Sequence, residues 1–213
     1  MRLLAVAVAL AAGLDWWAVA TARRPVERWA KPATMLAMIA LAVGLGAPDS
    51  ASGHWLLGAL ALGTLGDVLL LGGAPSRFLG GLAAFLVGHL SYVACFLALG
   101  VTEPGWAGIG VLLLAVSLAA SRAVLPSAWH EGGAMLAGPV GLYMAVIGAM
   151  LVTGWTTGRL LVGVGAAVFV ASDTMLALDR LVAPRRWAGV SVMVTYHLGQ
   201  ALIVLGVLGR GWS

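Results

Sequence analysis

Charge is what this chain most lacks. Lys, Arg, Asp and Glu together supply 9% of its 213 residues, where a soluble domain carries about a quarter. Cysteine is nearly absent as well. The single Cys95 excludes an internal disulfide framework and a cysteine-based zinc site, both of which need several thiols. Tyrosine occurs only three times, too few to be spent on a belt at the lipid interface. What the chain has instead is apolar bulk, at 62% hydrophobic residues and a mean hydropathy of +1.02. So little polar surface cannot face water, and the expected class is an all-α polytopic membrane protein.

Spanning a bilayer takes about 20 mostly apolar residues, and Pro, Gly and charge divide the chain into eight stretches of about that size, at 2–21, 32–46, 55–72, 78–100, 107–124, 134–153, 160–178 and 188–209. Runs of this length satisfy their own backbone groups as helices, not as barrel strands. The chain reads as a single transmembrane domain over 1–213. The first stretch resembles a secretory signal in its leading Arg2, but Asp15, Trp16 and Trp17 interrupt any clean cleavage pattern and the positive cluster follows it, so it reads as a retained helix.

The pI near 10 invites a nucleic-acid partner, but the Lys and Arg residues lie between apolar segments and form no aromatic-interleaved patch. Their role is topogenic. Arg23, Arg24, Arg28, Lys31, Arg77, Arg122, Arg180, Arg185 and Arg186 fall in alternate connections, and Arg2, Arg159 and Arg210 on the opposite side, nine against three. That bias predicts both termini outside, in a multi-pass protein of the cell (plasma or inner) membrane. The thirty glycines, including Gly80, Gly81 and Gly88, suit close helix packing in lipid and form no phosphate loop, since no strand precedes them.

Five ionisable side chains fall within the spans: Asp15, Asp67, His89, Asp173 and His197. Such residues are functional-site candidates by default. Counting at 1.5 Å per residue puts the three carboxylates about 8 to 9 Å inside the cytoplasmic boundary. His89, Tyr92, Tyr143, Tyr196 and Gln200 lie deeper on the same side. His89 shares a helix face with Tyr92, and Tyr196 with Gln200, by their spacings of three and four. Ser172 points away from Asp173 and is placed to bond its own helix carbonyls. All three tyrosines fall in this band, which predicts a polar pocket open to the cytoplasm. The competing reading makes each residue interhelical glue, and it is strongest for Asp15 beside the tryptophan pair. Gly66-Asp67 with the following His89 to Tyr92 is weakly echoed by Ser172-Asp173 with Tyr196 to Gln200, as a parallel four-plus-four repeat would produce.

At these residues the sequence resembles the YhhN-like lysoplasmalogenase family. The shared features are Lys31-Pro32, Gly66-Asp67, the stretch FLGGLAAFLVGHLSY from Phe78 to Tyr92, Pro139 with Tyr143, Ser172-Asp173, and Tyr196 with Gln200. They cover roughly residues 30–205. His197 departs from the pattern, and the first helix shows little beyond hydrophobicity. The resemblance implies a hydrolase that cleaves the vinyl ether of a lysoplasmalogen, a lysophospholipid drawn from the bilayer, to a fatty aldehyde and glycerophosphoethanolamine or glycerophosphocholine.

Such chemistry asks for one carboxyl held protonated and another held ionised. Asp67 and Asp173 are the expected acid and base, in an order the sequence leaves open. His89 is expected to relay protons or orient water, and Tyr92, Tyr143, Ser172, Tyr196 and Gln200 to bond substrate or intermediate. Lys31 is either a phosphate-binding point charge at the pocket mouth or a topogenic lysine. No cofactor is expected. A metal site would have to draw on His89, His197, Asp67 and Asp173, because His54 and His130 fall in predicted loops. The rival class is a proton-coupled transporter of small molecules or lipids, and a purely structural role is a third reading.

Overall fold

The structure is a computed structural model that describes residues 1–72 and 75–209. Eight α-helices run through them: α1 (Arg2–Ala20), α2 (Arg24–Gly44), α3 (Ala51–Leu70), α4 (Pro75–Leu99), α5 (Ala107–Ala120), α6 (Val124–Thr156), α7 (Leu160–Leu181) and α8 (Ala188–Leu208). Six of these, all except α2 and α5, are long and apolar enough to cross a membrane. The chain is a multi-pass membrane protein. Its outer surface agrees, since Leu3, Leu10, Leu112 and Met135 are 64–86% exposed, an apolar girdle that water would not tolerate.

Two helices differ most from the expected spans, and α3 begins four residues early, at Ala51. The second begins at Arg24, not at 32, because Pro25 occupies the first turn, where its missing N–H costs nothing, and Glu27 complements the positive end of the helix dipole. The helix then continues through Pro32. Arg24, Arg28 and Lys31 are therefore helical residues, not loop residues, and Arg77 and Arg180 likewise lie on α4 and α7. Arg210, counted among the opposite-side charges, lies outside the described residues. The sixth helix begins at Val124 instead of 134 and kinks at Gly133, whose φ of 57° only glycine adopts without strain. His130 thus sits on the first arm of α6, and His54 on α3, and both side chains are exposed.

Packing follows the small residues. Helices α7 and α8 touch backbone to backbone: a Cβ on Gly199 would lie 2.9 Å from the Phe169 nitrogen, and one on Gly206 2.7 Å from that of Val162. Lipid offers no hydrophobic drive between helices, so such close van der Waals approach is what holds them. Arg159 completes this pair by donating to the last carbonyls of α8, Gly206 at 3.1 Å and Val207 at 2.9 Å, where a cation meets the negative helix end. α3 packs closely on α4, α1 on α2 and α8, and α6 on both α4 and α7, while α5 rides outside on α6 and α7. The core between them holds Met35, Leu56, Leu60, Phe96, Phe169 and Ile203, all essentially inaccessible.

Candidate active site

Near the end of the bundle that carries the α1–α2 and α7–α8 connections, α2, α3, α4, α7 and α8 line an open-mouthed cavity of about 420 Å³. Its polar wall is Lys31, Asp67, Ser172, Asp173, Arg180 and Tyr196, and its apolar wall includes Leu70, Phe78, Phe85, Leu176 and Met193. The two carboxylates that the sequence placed at one depth therefore open onto one space.

Each has a different environment. Lys31 reaches from α2 to place its Nζ 3.1 Å from Oδ1 of Asp67, with both side chains under a tenth exposed. The Tyr196 hydroxyl donates to the other oxygen, Oδ2, at 2.9 Å. Lys31 is thus not a cation waiting at a pocket mouth. It is a buried partner, and each ion of such a pair depends on the other for compensation. Asp173 instead accepts from the Tyr143 hydroxyl on Oδ2, with His89 Nε2 3.6 Å from the same oxygen. No Lys or Arg lies within ion-pair distance of Asp173 among the described residues.

His89 is oriented from behind. Its Nδ1 lies 2.6 Å from the Phe85 carbonyl, and a carbonyl only accepts, so Nδ1 carries a hydrogen and Nε2 is the nitrogen free to exchange a proton. Nε2 has no hydrogen-bond partner. The ring is held edge-on to Tyr143, 5.2 Å between centroids, and against Phe169 at 4.9 Å. Phe169 and Phe85 also pack on Tyr196, so one aromatic box fixes both halves of the site. Gly66 makes room for it: a Cβ there would stand 2.6 Å from the Phe85 ring.

The remaining expected residues divide. Tyr92 donates to Gln200 Oε1, and this pair joins α4 to α8 without bordering the cavity. Ser172 borders it, but its hydroxyl bonds the Val192 carbonyl of α8 at 2.9 Å, not its own helix as expected, because close α7–α8 contact brings that carbonyl nearer. His197 accepts from Trp16 Nε1 at 3.0 Å through Nδ1. Asp15, fully buried, has no partner among the described residues. Neither lines the cavity. Among the described residues no three His, Cys, Asp or Glu side chains stand together as a metal ligand set. Arg180 was counted only as a loop charge. Its spacing of seven from Asp173, two helical turns on one face, is the signal that would have found it.

The arrangement is two carboxyl groups of unlike surroundings facing one cavity, one engaged by a cation and the other by a phenol and an imidazole. It is equipped for paired acid–base chemistry on a neutral bond. Residues 26–207 match the YhhN family. The chain is 36% identical to the lysoplasmalogenase TMEM86B of Sus scrofa over 81% of this chain and 72% of the relative. To the human lysoplasmalogenase TMEM86B it is 34% identical over 76% and 66%, and to the lysoplasmalogenase of Mycobacterium bovis 29% identical over 80% and 67%. No solved structure matches the chain.

Proposed function

Since this chain belongs to the YhhN family, and the relatives just described are named lysoplasmalogenases, we propose that it is a membrane-embedded hydrolase of lysoplasmalogens. It cleaves their vinyl ether to a fatty aldehyde and glycerophosphoethanolamine or glycerophosphocholine. The observation that carries this reading is the asymmetric pair of Asp67 and Asp173 on one cavity.

Asp173 is the acid. It gives its proton to the alkene carbon one removed from the ether oxygen, and the carbon bonded to that oxygen becomes an oxocarbenium centre. The ionised Asp67, held by Lys31 and Tyr196, faces the positive charge and stabilises it as it develops. Water adds to the oxocarbenium carbon and returns a proton to Asp173, with His89 Nε2 as relay. The hemiacetal so formed collapses to the aldehyde and a glycerol hydroxyl, so one water is consumed and no redox partner is needed. Tyr143 fixes the Asp173 carboxyl, and Tyr92 with Gln200 holds α4 against α8 behind the site.

In the bilayer, the gathering of Lys and Arg at one end of the bundle supports both termini outside the cytoplasm and the cavity near the cytoplasmic face of the plasma membrane, and the echo of Gly66-Asp67 in Ser172-Asp173 supports α3–α4 and α7–α8 as counterpart hairpins of a parallel repeat. Purified protein in detergent, incubated with lysoplasmenylethanolamine, is expected to release fatty aldehyde and to leave the 1-acyl analogue intact. Solute uptake into proteoliposomes without aldehyde release would replace the hydrolase with a transporter.

A further inference from the structure

A second, apolar cleft meets the polar cavity at Asp173. It runs between α4, α5, α6 and α7, past Leu82, Leu114, Leu118, Val140, Met144 and Ile147. Phe78, Phe85, Leu70, Leu176, Asp173 and Arg180 border both spaces. The cleft reaches the lipid-facing surface, because Leu118 in its wall is 46% exposed. It is also tight: the centre of a water-sized sphere can range over only about 90 Å³ of it, against about 420 Å³ in the polar cavity.

We propose that this cleft receives the single hydrocarbon chain of a lysophospholipid and that Arg180 binds its phosphate, so that the substrate lies across Asp173 with its ether bond at the junction. The proposal rests on the hydrolase reading for the bond that is cleaved, but not for the two subsites.

Three observations fix the occupant. The first is continuity: a molecule passing from the cleft into the cavity has hydrocarbon on one side of Asp173 and polar groups on the other. The second is the cation. Lys31 is engaged by Asp67 at 3.1 Å, whereas Arg180 makes no ion pair among the described residues and has its guanidinium stacked 5.0 Å over the Phe78 ring. That stacking orients a planar, fork-shaped donor suited to phosphate oxygens. Arg180 lies two turns beyond Asp173 on the same face of α7, about 10 Å along the axis. A glycerol linkage and the arginine side chain together bridge that separation. The third is tightness: the cleft leaves far less room than the polar cavity, which favours the single chain of a lysolipid over the two of a diacyl lipid. Helix α5 is the wall able to yield, because its 14 residues cover only about 21 Å of a hydrocarbon layer about 30 Å thick and it packs mainly on α6 and α7.

The test is photolabelling of the full-length protein with 1-O-alkyl-lysophosphatidylcholine carrying a diazirine at mid-chain, alongside steady-state assays. Labels are expected on α5 and α6 near Leu118, Val140 and Ile147, and Leu118→Trp should move both labelling and turnover toward shorter chains. Arg180→Gln should raise KM for the lysoplasmenyl phospholipid by tenfold or more, Arg180→Lys should recover part of it, and the Gln variant should lose the preference for phospholipid over 1-alkenylglycerol, which has no phosphate. Labels confined to the outer girdle, or an undiminished phosphate preference in Arg180→Gln, would overturn the proposal even if aldehyde is released. Cleft labelling without aldehyde release would uphold it and reject the hydrolase reading alone.

Discussion

Asp173→Asn is expected to lower kcat by roughly a hundredfold to ten-thousandfold, the usual worth of a general acid, while the protein stays folded. The side chain keeps its volume, and its amide oxygen still accepts from the Tyr143 hydroxyl. What disappears is the carboxyl proton at the junction of cavity and cleft, so the alkene carbon has no donor of comparable acidity. Comparing turnover of lysoplasmenyl lipid with thermal unfolding in the same detergent checks this directly. An interhelical-glue role predicts the opposite pattern, with activity following whatever stability is lost.

The second large effect concerns the Lys31–Asp67 pair. Lys31→Met leaves the Asp67 carboxylate buried with only the Tyr196 hydroxyl for compensation. Removing one member of a buried pair costs about 3–5 kcal/mol, a large share of the stability of an ordinary protein. Adding Asp67→Asn removes the orphaned charge, so the double variant should regain most of that stability. Activity should not return, because no carboxylate then faces the oxocarbenium centre. Unfolding of the two single variants and the double variant forms a cycle, and a double variant as unstable as Lys31→Met alone would contradict the account of the pair.

How far the sequence could be read follows from which properties are local. Runs of apolar residues are local, so the eight helices were legible, and helical arithmetic brought Asp67 and Asp173 to one depth. The start of α2 was not legible because charge and proline together resemble a boundary. A helix end at the membrane surface tolerates both, and Lys31 reaches inward because a carboxylate on another helix receives it. That partnership joins residues 36 positions apart and leaves no periodic trace. The same holds for Ser172, whose acceptor belongs to α8, and for His89, whose approach to Asp173 depends on how α4 and α7 pack. Tyr92 and Gln200 show the reverse failure: their polarity was legible, but not that they would face each other. Arg180 was hidden by a correct generalisation, since arginines at helix ends do set topology, and only its register with Asp173 sets it apart.

The central claim is protonation at carbon followed by addition of water, and its most direct test is hydrolysis of lysoplasmenylethanolamine by the purified protein in D2O, with the aldehyde trapped at once for mass spectrometry. The account predicts one deuterium on the carbon next to the aldehyde group, at a rate far above the protein-free control and lost in Asp173→Asn. Aldehyde without that deuterium, or deuterated aldehyde formed equally fast by the Asp173→Asn protein, would contradict it.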